Sequence, residues 1–184
     1  MSLFTGKGDN GTTKTFGCDQ RVSKSSAVAE ALGTLDEINS FLGLAKIRSF
    51  EKDFEYKAHK FGDIIHSVQQ NLFIIQAEVA GSDKKIDESK VKDAEEIING
   101  IEKEMPPIKT FFISGGTELG ATFDVCRTLA RRAERRVVGV HDEGVRPIDP
   151  QTLAYLNRLS SLLYALARYS NHLGGIVEEA PSYK

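Results

Sequence analysis

The stretch FTGKGDNGTTKT near the amino terminus combines glycines with lysines and threonines in patterns typical of phosphate-binding loops. Gly6, Gly8 and Gly11 have the spacing G-x-G-x-x-G, and residues 8–15 approach the P-loop pattern except at Thr13. Glycine lets backbone amides come close to an anion, while lysine and threonine side chains supply further donors. Both motifs normally follow a strand of a parallel α/β unit, yet only five residues precede Gly6. The segment therefore predicts phosphate binding in some other fold.

A second chemically suggestive stretch is CRTLARRAERRVVG, at residues 126–139. On a helix turning by about 100° per residue, Arg127, Arg131, Glu134 and Arg135 lie on one flank of the apolar stripe. The cations are all arginine, whose forked guanidinium suits bidentate recognition of phosphate or carboxylate. A solvated basic face is the alternative interpretation.

Two polar residues border predicted apolar faces and need partners. Asp36 follows Leu35 in EALGTLDEINSFLG, where Asp36 and Glu37 are the candidate internal anions, and we predict a salt bridge from Asp36 to one of the arginines. Asn157 follows Leu156 in a later helix, where its amide either bonds a neighbouring backbone group or contacts a ligand.

Metal and nucleophile chemistry find little support in the sequence. The four histidines form none of the Glu-x-x-His pairs of a di-iron bundle, and no Ser/His/Asp or Cys/His arrangement stands out. Cys18 and Cys126 have no metal-type spacing, and Cys126 is predicted to be core packing. The two cysteines fit a reducing compartment without a disulfide framework.

The composition favours one domain in which any anion site is local. The 184 residues include 40% hydrophobic residues and carry a net charge of -2, which gives no overall case for nucleic acid or an anionic membrane. Neither a signal peptide nor a transmembrane segment is recognisable, so we expect a cytoplasmic protein.

Apolar periodicity predicts a bundle of about five helices. The first begins near Ser25, and the second is predicted over about 52–80 with Phe54 and Ala58 in its stripe. No segment is predicted to be a strand, and residues 1–25 are predicted to be an ordered loop or arm. The five apolar stripes run over residues 28–45, 54–79, 91–101, 119–140 and 153–167.

Local signals mark the ends of the later helices. Asp87 can cap the third helix, which the run from Met105 to Pro107 ends. Asp149 followed by Pro150 combines a cap with proline at the first helical position of the fifth helix. The order of elements predicts an all-α fold.

Five stretches in order resemble the PduO-type ATP:cob(I)alamin adenosyltransferases, or corrinoid adenosyltransferases. They are TGKGDNGTT, EALGTLDEINSFLG, FFISGGT, RRAERR and YLNRLSSLLYALARY. The resemblance implies a single domain over residues 1–184, an all-α five-helix bundle of the ferritin-like, cobalamin adenosyltransferase-like type. An ATP-binding arm (1–25) precedes the bundle (26–174) and a tail (175–184) follows it. It also implies a homotrimer with ATP between subunits.

The resemblance also implies site residues. Asp36 and Arg127 match a pair across the subunit interface, and Phe111 matches an aromatic residue that keeps the lower nucleotide ligand away from cobalt. Arg131 is expected to stabilise the leaving triphosphate, with Mg²⁺ on the phosphates. The implied ATP contacts are Thr5, Gly6, Lys7, Gly8, Thr13, Lys14, Lys24, Arg131, Arg132, Ala133, Glu134, Arg135 and Asn157.

The implied reaction transfers the 5'-deoxyadenosyl group of ATP to the cobalt of cob(I)alamin, forming adenosylcobalamin and releasing triphosphate. Since cobalt is itself the nucleophile, the protein needs to place the reactants and stabilise charge rather than supply a base. A cob(II)alamin reductase and an adenosylcobalamin-dependent enzyme are possible partners. The alternative is a non-catalytic helical protein that senses ATP or corrinoid, or delivers adenosylcobalamin. A P-loop NTPase is disfavoured because the strands are missing.

Overall fold

The computed structural model describes residues 4–15 and 20–183, and in this part of the chain five α-helices form the fold. The helices are α1 (Ala27–Lys52), α2 (Phe61–Ala80), α3 (Glu88–Glu104), α4 (Glu118–Asp142) and α5 (Pro150–Leu173). Helix α1 packs between α2 and α4, while α5 packs between α3 and α4. The predicted all-α helical bundle is confirmed.

Side-chain caps begin four of the helices, because the first N–H groups of a helix have no partner within it. Asp87 accepts a hydrogen bond from the Ser89 N–H at 2.9 Å and Asp149 accepts one from Gln151 at 2.9 Å, which confirms both predicted caps. Ser26 and Thr117 cap α1 and α4 in the same way.

The prediction that no segment forms a strand is wrong for two short antiparallel ladders. In the arm, β1 (Thr12–Lys14) pairs with β2 (Arg21–Ser23). After α1, β3 (Glu55–Tyr56) pairs with β4 (His59–Lys60). Each ladder is only two or three residues long, which explains why neither gives a period-two pattern that a sequence would reveal.

The predicted start of the second helix near residue 52 is also wrong, because α1 continues to Lys52 and α2 begins at Phe61. Asp53 and Lys57 take left-handed φ angles of 50° and 53°, which interrupt any helix. Between them Tyr56 is buried, with its hydroxyl against Gly100 of α3 where a Cβ would collide. Long-range packing of Tyr56 thus replaces the first turns of the expected helix, and Phe54 and Ala58 lie outside α2.

The core joins all five helices through apolar side chains, and the buried Glu78 carboxylate adds a polar link between two of them. Phe61 contacts Phe123 and Tyr169 with ring centroids 6.2 and 6.1 Å apart. The Glu78 carboxylate of α2 accepts hydrogen bonds from the Asp149 N–H at 2.7 Å and the Thr152 hydroxyl at 2.6 Å. Glu78 therefore ties α2 to the start of α5. None of the helices that the structure describes has the length and apolar character needed to cross a bilayer.

Candidate functional site

A cavity of about 570 Å³ opens between α4, α5 and the loop that joins α3 to α4. We call residues 106–116 of that connection the Phe111 loop. Helix α4 presents acidic and basic side chains to the cavity, α5 presents hydroxyl, amide and guanidinium groups, and the loop presents apolar ones. Its lining includes Ile108, Phe111, Phe112 and Ile113 of the loop, Asp124, Arg127 and Arg131 of α4, Ser160, Ser161, Tyr164, Arg168 and Asn171 of α5, and Glu178.

Phe111 lies at the mouth of this cavity and is 79% exposed. An isolated exposed aromatic ring needs no explanation, but Ile108 and Ile113 beside it are also about half exposed. The loop therefore presents an apolar rim that could cover the face of a large planar ligand. The structure brings Phe111 of the loop to the same cavity as Arg127 and Arg131 of α4.

The arginines of α4 differ in how their charge is balanced. Arg132 bonds the Glu37 carboxylate of α1, and Arg136 lies 3.8 Å from a Glu30 oxygen. Arg131 and Arg135 are exposed and make no ion pair with any residue that the structure describes. Helix α4 therefore carries two uncompensated guanidinium groups on the predicted basic flank, and the two arginines neutralised by α1, Arg132 and Arg136, lie outside that flank.

Arg127 bonds within its own helix, because its Nε lies 3.3 Å from the Asp124 carboxylate. Its guanidinium also stands over the Tyr164 ring, 5.7 Å from the centroid. Burial at this place raises the pKa of the Tyr164 hydroxyl, although Arg168 and Arg127 act to lower it. Arg127 is thus held between Asp124 and Tyr164, which also line the cavity.

The predicted salt bridge from Asp36 to an arginine is wrong within the described part of one chain, where the other candidate anion, Glu37, pairs with Arg132 instead. Asp36 is exposed and forms no ion pair with the described residues. One residue turns a helix by about 100°, so Glu37 faces α4 and Asp36 faces away from it. Within one chain, Asp36 and Arg127 are not brought together.

Asn157 links α5 to α4 through side chains rather than through the backbone. Its amide donates to Glu134 Oε1 at 2.9 Å, and its oxygen accepts from Arg158 Nη1 at 2.6 Å. Asn157 is exposed, while Ala133 is fully buried in the core. The structure therefore brings Glu134 and Asn157 together and places the Ala133 methyl group away from the surface they share.

The arm folds so that Lys24 returns to the glycine loop. Gly6 and Gly11 have left-handed φ angles of 68° and 77°, and the Lys24 N–H donates to the Gly11 carbonyl at 2.9 Å. A Cβ placed at Gly8 would lie 3.3 Å from Lys24 Nζ, so the ammonium group stands directly over Gly8. Thr13 pairs with Val22 in the β1–β2 ladder. Gly8 and Lys24 together offer a backbone amide and a cation to an anion.

The arm and the arginine helix remain separate in one chain. In the described ranges, no hydrogen bond or ion pair reaches α4 from Thr5, Gly6, Lys7, Gly8, Thr13 or Lys24. Lys14 lies at the end of β1 on the same arm.

The remaining predictions concern cysteine and metal chemistry. Cys126 is fully buried, and burial raises the pKa of its thiol to about 12, which confirms core packing rather than a nucleophile. Cys18 lies outside the described residues. Residues 4–15 and 20–183 contain no group of three His, Cys, Asp or Glu side chains placed to hold a metal ion.

Several polar residues at the cavity escaped the sequence analysis, and they include Asp124, Tyr164, Arg168, Asn171 and Glu178. One signal was present for Arg168, which stands in the otherwise apolar run LLYALARY. A lone arginine in such a run needs a buried counter-charge. Nothing local in the sequence indicates that Glu178, beyond the end of α5, supplies it.

Comparison with known proteins identifies relatives across nearly the whole chain. The family model for cobalamin adenosyltransferase matches residues 3–170. The corrinoid adenosyltransferase PduO of Citrobacter freundii is 37% identical over 180 residues, which cover 94% of this chain and 50% of that protein. The corrinoid adenosyltransferase of Bacillus subtilis is 36% identical over 181 residues, which cover 96% of this chain and 90% of that protein.

A solved structure agrees with the fold. It is a phenylalanine-to-alanine variant of a PduO-type ATP:corrinoid adenosyltransferase from Lactobacillus reuteri, complexed with cobalamin and ATP. The two chains are 29% identical and superpose with a TM-score of 0.85, covering 98% of this chain and 99% of the other. The chain spans about half the length of two of the curated relatives that it matches.

Proposed function

Since the chain belongs to the cobalamin adenosyltransferase family, we propose that it is a transferase that moves the 5'-deoxyadenosyl group of ATP to the cobalt of cob(I)alamin. The cobalt electron pair forms the new bond to C5'. The C5'–O bond breaks, and the triphosphate leaves with the electron pair of that broken bond. The observation that carries this proposal is a cavity lined both by an exposed aromatic residue, Phe111, and by Arg131, whose guanidinium is unpaired among the described residues.

The charge that develops on triphosphate accounts for the cations of the site. Arg131 and Arg135 have no counter-charge among the residues that the structure describes, so their electrostatic potential is available to an anion. The Glu134 and Asn157 pair beside them offers acceptors and a donor for the nucleoside. Arg132 would contribute less because Glu37 already neutralises it, and Ala133 would contribute only backbone groups. Mg²⁺ would bind between the phosphates.

The arm supplies the other half of the proposed ATP site. Glycine at 6 and 8 lets backbone N–H groups approach phosphate, and Lys24 adds a charge next to Gly8. The side chains proposed to complete the contact are Thr5, Lys7, Thr13 and Lys14.

Phe111 has a separate role in this proposal. With its ring at the cavity mouth, it would occupy the lower face of the corrinoid and keep the nucleotide ligand away from cobalt. Four-coordinate cob(II)alamin is easier to reduce to cob(I)alamin, the nucleophile of the transfer step. Phe111 would therefore act before adenosyl transfer.

A homotrimer with ATP between subunits explains how the arm and α4 could meet. Asp36 lies on the outward face of α1 together with the half-exposed side chains of Leu44 and Ile47. Exposed apolar groups around a carboxylate suit an interface between subunits, where Asp36 would pair with Arg127 of another copy. A cytoplasmic location, a cob(II)alamin reductase and a recipient enzyme that uses adenosylcobalamin complete the proposal.

The test is incubation with ATP and chemically reduced cobalamin, followed by separation of the products. We expect a light-sensitive adenosylated corrinoid and one equivalent of triphosphate. Release of phosphate or pyrophosphate without the adenosylated product would contradict the proposal. Binding of both substrates without turnover would support the sensing or delivery alternative instead.

A further inference from the structure

Arg168 places a buried charge in the middle of α5, next to the cavity. It is 5% exposed, in a stretch where residues 165–171 are all buried. Its Nε donates to both oxygens of the Glu178 carboxylate at 2.9 Å, and Nη2 donates to Glu178 Oε2 at 2.7 Å. A buried guanidinium requires such a counter-charge. Glu178 belongs to the carboxyl-terminal tail, of which the structure describes residues 175–183, so this ion pair joins the tail to α5.

The same guanidinium also holds the first part of the Phe111 loop. Arg168 Nη2 donates to the Pro106 carbonyl at 3.2 Å, and its Cζ lies 5.3 Å from the centroid of the Phe112 ring. Alongside, the Ile113 N–H donates to the Glu179 carbonyl at 2.8 Å. The tail and the loop are thus bonded to each other and to one buried arginine.

A second residue of α5 holds the far end of the loop. The Asn171 amide donates to the Gly115 carbonyl at 2.8 Å, and its oxygen accepts from the Thr117 N–H at 2.9 Å. Phe111 lies between these two anchors and is exposed. The direction in which Phe111 projects over the cavity therefore depends on where α5 fixes the two ends of its loop.

We propose that Arg168 and Glu178 are positioning residues, which fix the Phe111 loop so that the Phe111 ring stands at the corrinoid side of the cavity. This inference rests on the proposed function. It gives a role to the tail, since Glu178 lies outside residues 3–170 that match the family model. It also assigns a role to the arginine of LLYALARY, which the sequence analysis left unexplained.

The test compares Glu178→Gln with Glu179→Gln in the full chain. Both variants remove one negative charge from adjacent positions, but the Glu179 side chain is exposed and only its backbone bonds the loop. Glu178→Gln leaves the Arg168 charge buried without a counter-ion. The first measurement is hydrogen exchange of residues 106–116 in the ligand-free protein, with exchange of the α4 core as the control for folding.

We expect Glu178→Gln to accelerate exchange of the Phe111 loop by about 10- to 100-fold, the factor that corresponds to one lost charge-assisted hydrogen bond. Glu179→Gln should leave that exchange unchanged. Equal exchange in the two variants would overturn the inference, and this result does not depend on whether the protein binds corrinoid.

The second measurement is steady-state kinetics starting from cob(II)alamin with a reductant and from preformed cob(I)alamin. Glu178→Gln should raise the KM for corrinoid about tenfold and lower the fraction of four-coordinate cob(II)alamin seen by electron paramagnetic resonance, with the KM for ATP unchanged. If wild type is active and Glu178→Gln matches Glu179→Gln in both assays, the positioning role is refuted. A wild-type protein that makes no adenosylated product would instead refute the proposed function. The hydrogen-exchange comparison would then still test whether Arg168 and Glu178 anchor the Phe111 loop.

Discussion

Replacing Phe111 by alanine separates a role in corrinoid handling from a role in folding. The side chain is 79% exposed, so only about one fifth of its surface is buried in the free protein. Full burial of a phenylalanine is worth about 1.5–3 kcal/mol, and the variant should therefore lose no more than about 0.6 kcal/mol of unfolding free energy. Any larger loss of activity must come from what the exposed ring contacts when substrate is bound.

The exposed portion sets the size of the expected functional effect. If a corrinoid covers the 79% of the ring that is free, about 1.2–2.4 kcal/mol becomes available on binding, which is about 8- to 60-fold in a rate or binding constant. We expect this loss in kcat/KM when the reaction starts from cob(II)alamin with a reductase. With preformed cob(I)alamin, the loss should be several times smaller because the reduction step has already occurred.

The assay follows formation of the adenosylated corrinoid under both starting conditions, with thermal unfolding measured on the same preparations. Phe73→Ala is the matched control, because Phe73 is a half-exposed aromatic residue of α2 outside the cavity. Equal losses from cob(I)alamin and cob(II)alamin would refute the ligand-displacement role. Wild-type rates from both would show that the Phe111 ring does not contact the corrinoid.

Three other predictions test the charge, the core and the buried thiol. Arg131→Ala should lower kcat about 100-fold without loss of thermal stability, because Arg131 is exposed and unpaired among the described residues. Arg136→Ala is the control. An unchanged rate for Arg131→Ala would contradict the assignment. Glu78→Gln should lower the free energy of unfolding, measured in urea, by about 1–3 kcal/mol, since the Glu78 carboxylate accepts hydrogen bonds from both Asp149 and Thr152. A loss no larger than that of the exposed Glu51→Gln would show that these hydrogen bonds contribute nothing. Burial raises the pKa of Cys126 from 9.0 to about 12, so in a Cys18→Ser background the folded protein should not react with a thiol reagent at pH 8. The stability that the protonated thiol contributes is complete below pH 9 and is lost as the pH rises toward about 12, and rapid labelling of the native protein would refute its burial.

Local signals explain why most of the fold could be predicted. Helices begin after Asp87 and at Pro150, which follows Asp149. These starts could be predicted because a capping side chain and a first-turn proline affect only the few residues next to them. The apolar stripes needed only the helical period. The flank occupied by Arg127 and Arg131 followed from the same angular argument, and it places both residues at the cavity.

Contacts between residues distant in sequence explain what could not be predicted. Helix α2 begins at Phe61 rather than near residue 52 because Tyr56 packs against Gly100, about forty residues away. No pattern within residues 52–60 indicates that contact. The choice of Glu37 rather than Asp36 as an internal anion depends on where α4 lies beside α1. The bond between Arg168 and Glu178 similarly requires the tail to fold back past the end of α5.

The balance of charge along α4 explains how a chain with net charge -2 can offer an anion site. Arg132 and Arg136 face the acidic residues of α1, and Arg127 is paired with Asp124, so these three contribute little field outside the protein. Arg131 and Arg135 fall between them and are left uncompensated in the described structure. Unpaired guanidinium groups attract a polyphosphate more strongly than paired ones. The position of the anion site therefore depends both on where the arginines lie and on which of them lack a neighbouring carboxylate. Adding a carboxylate beside Arg131, for example by Thr128→Glu one helical turn earlier, should therefore weaken ATP binding while leaving every arginine in place.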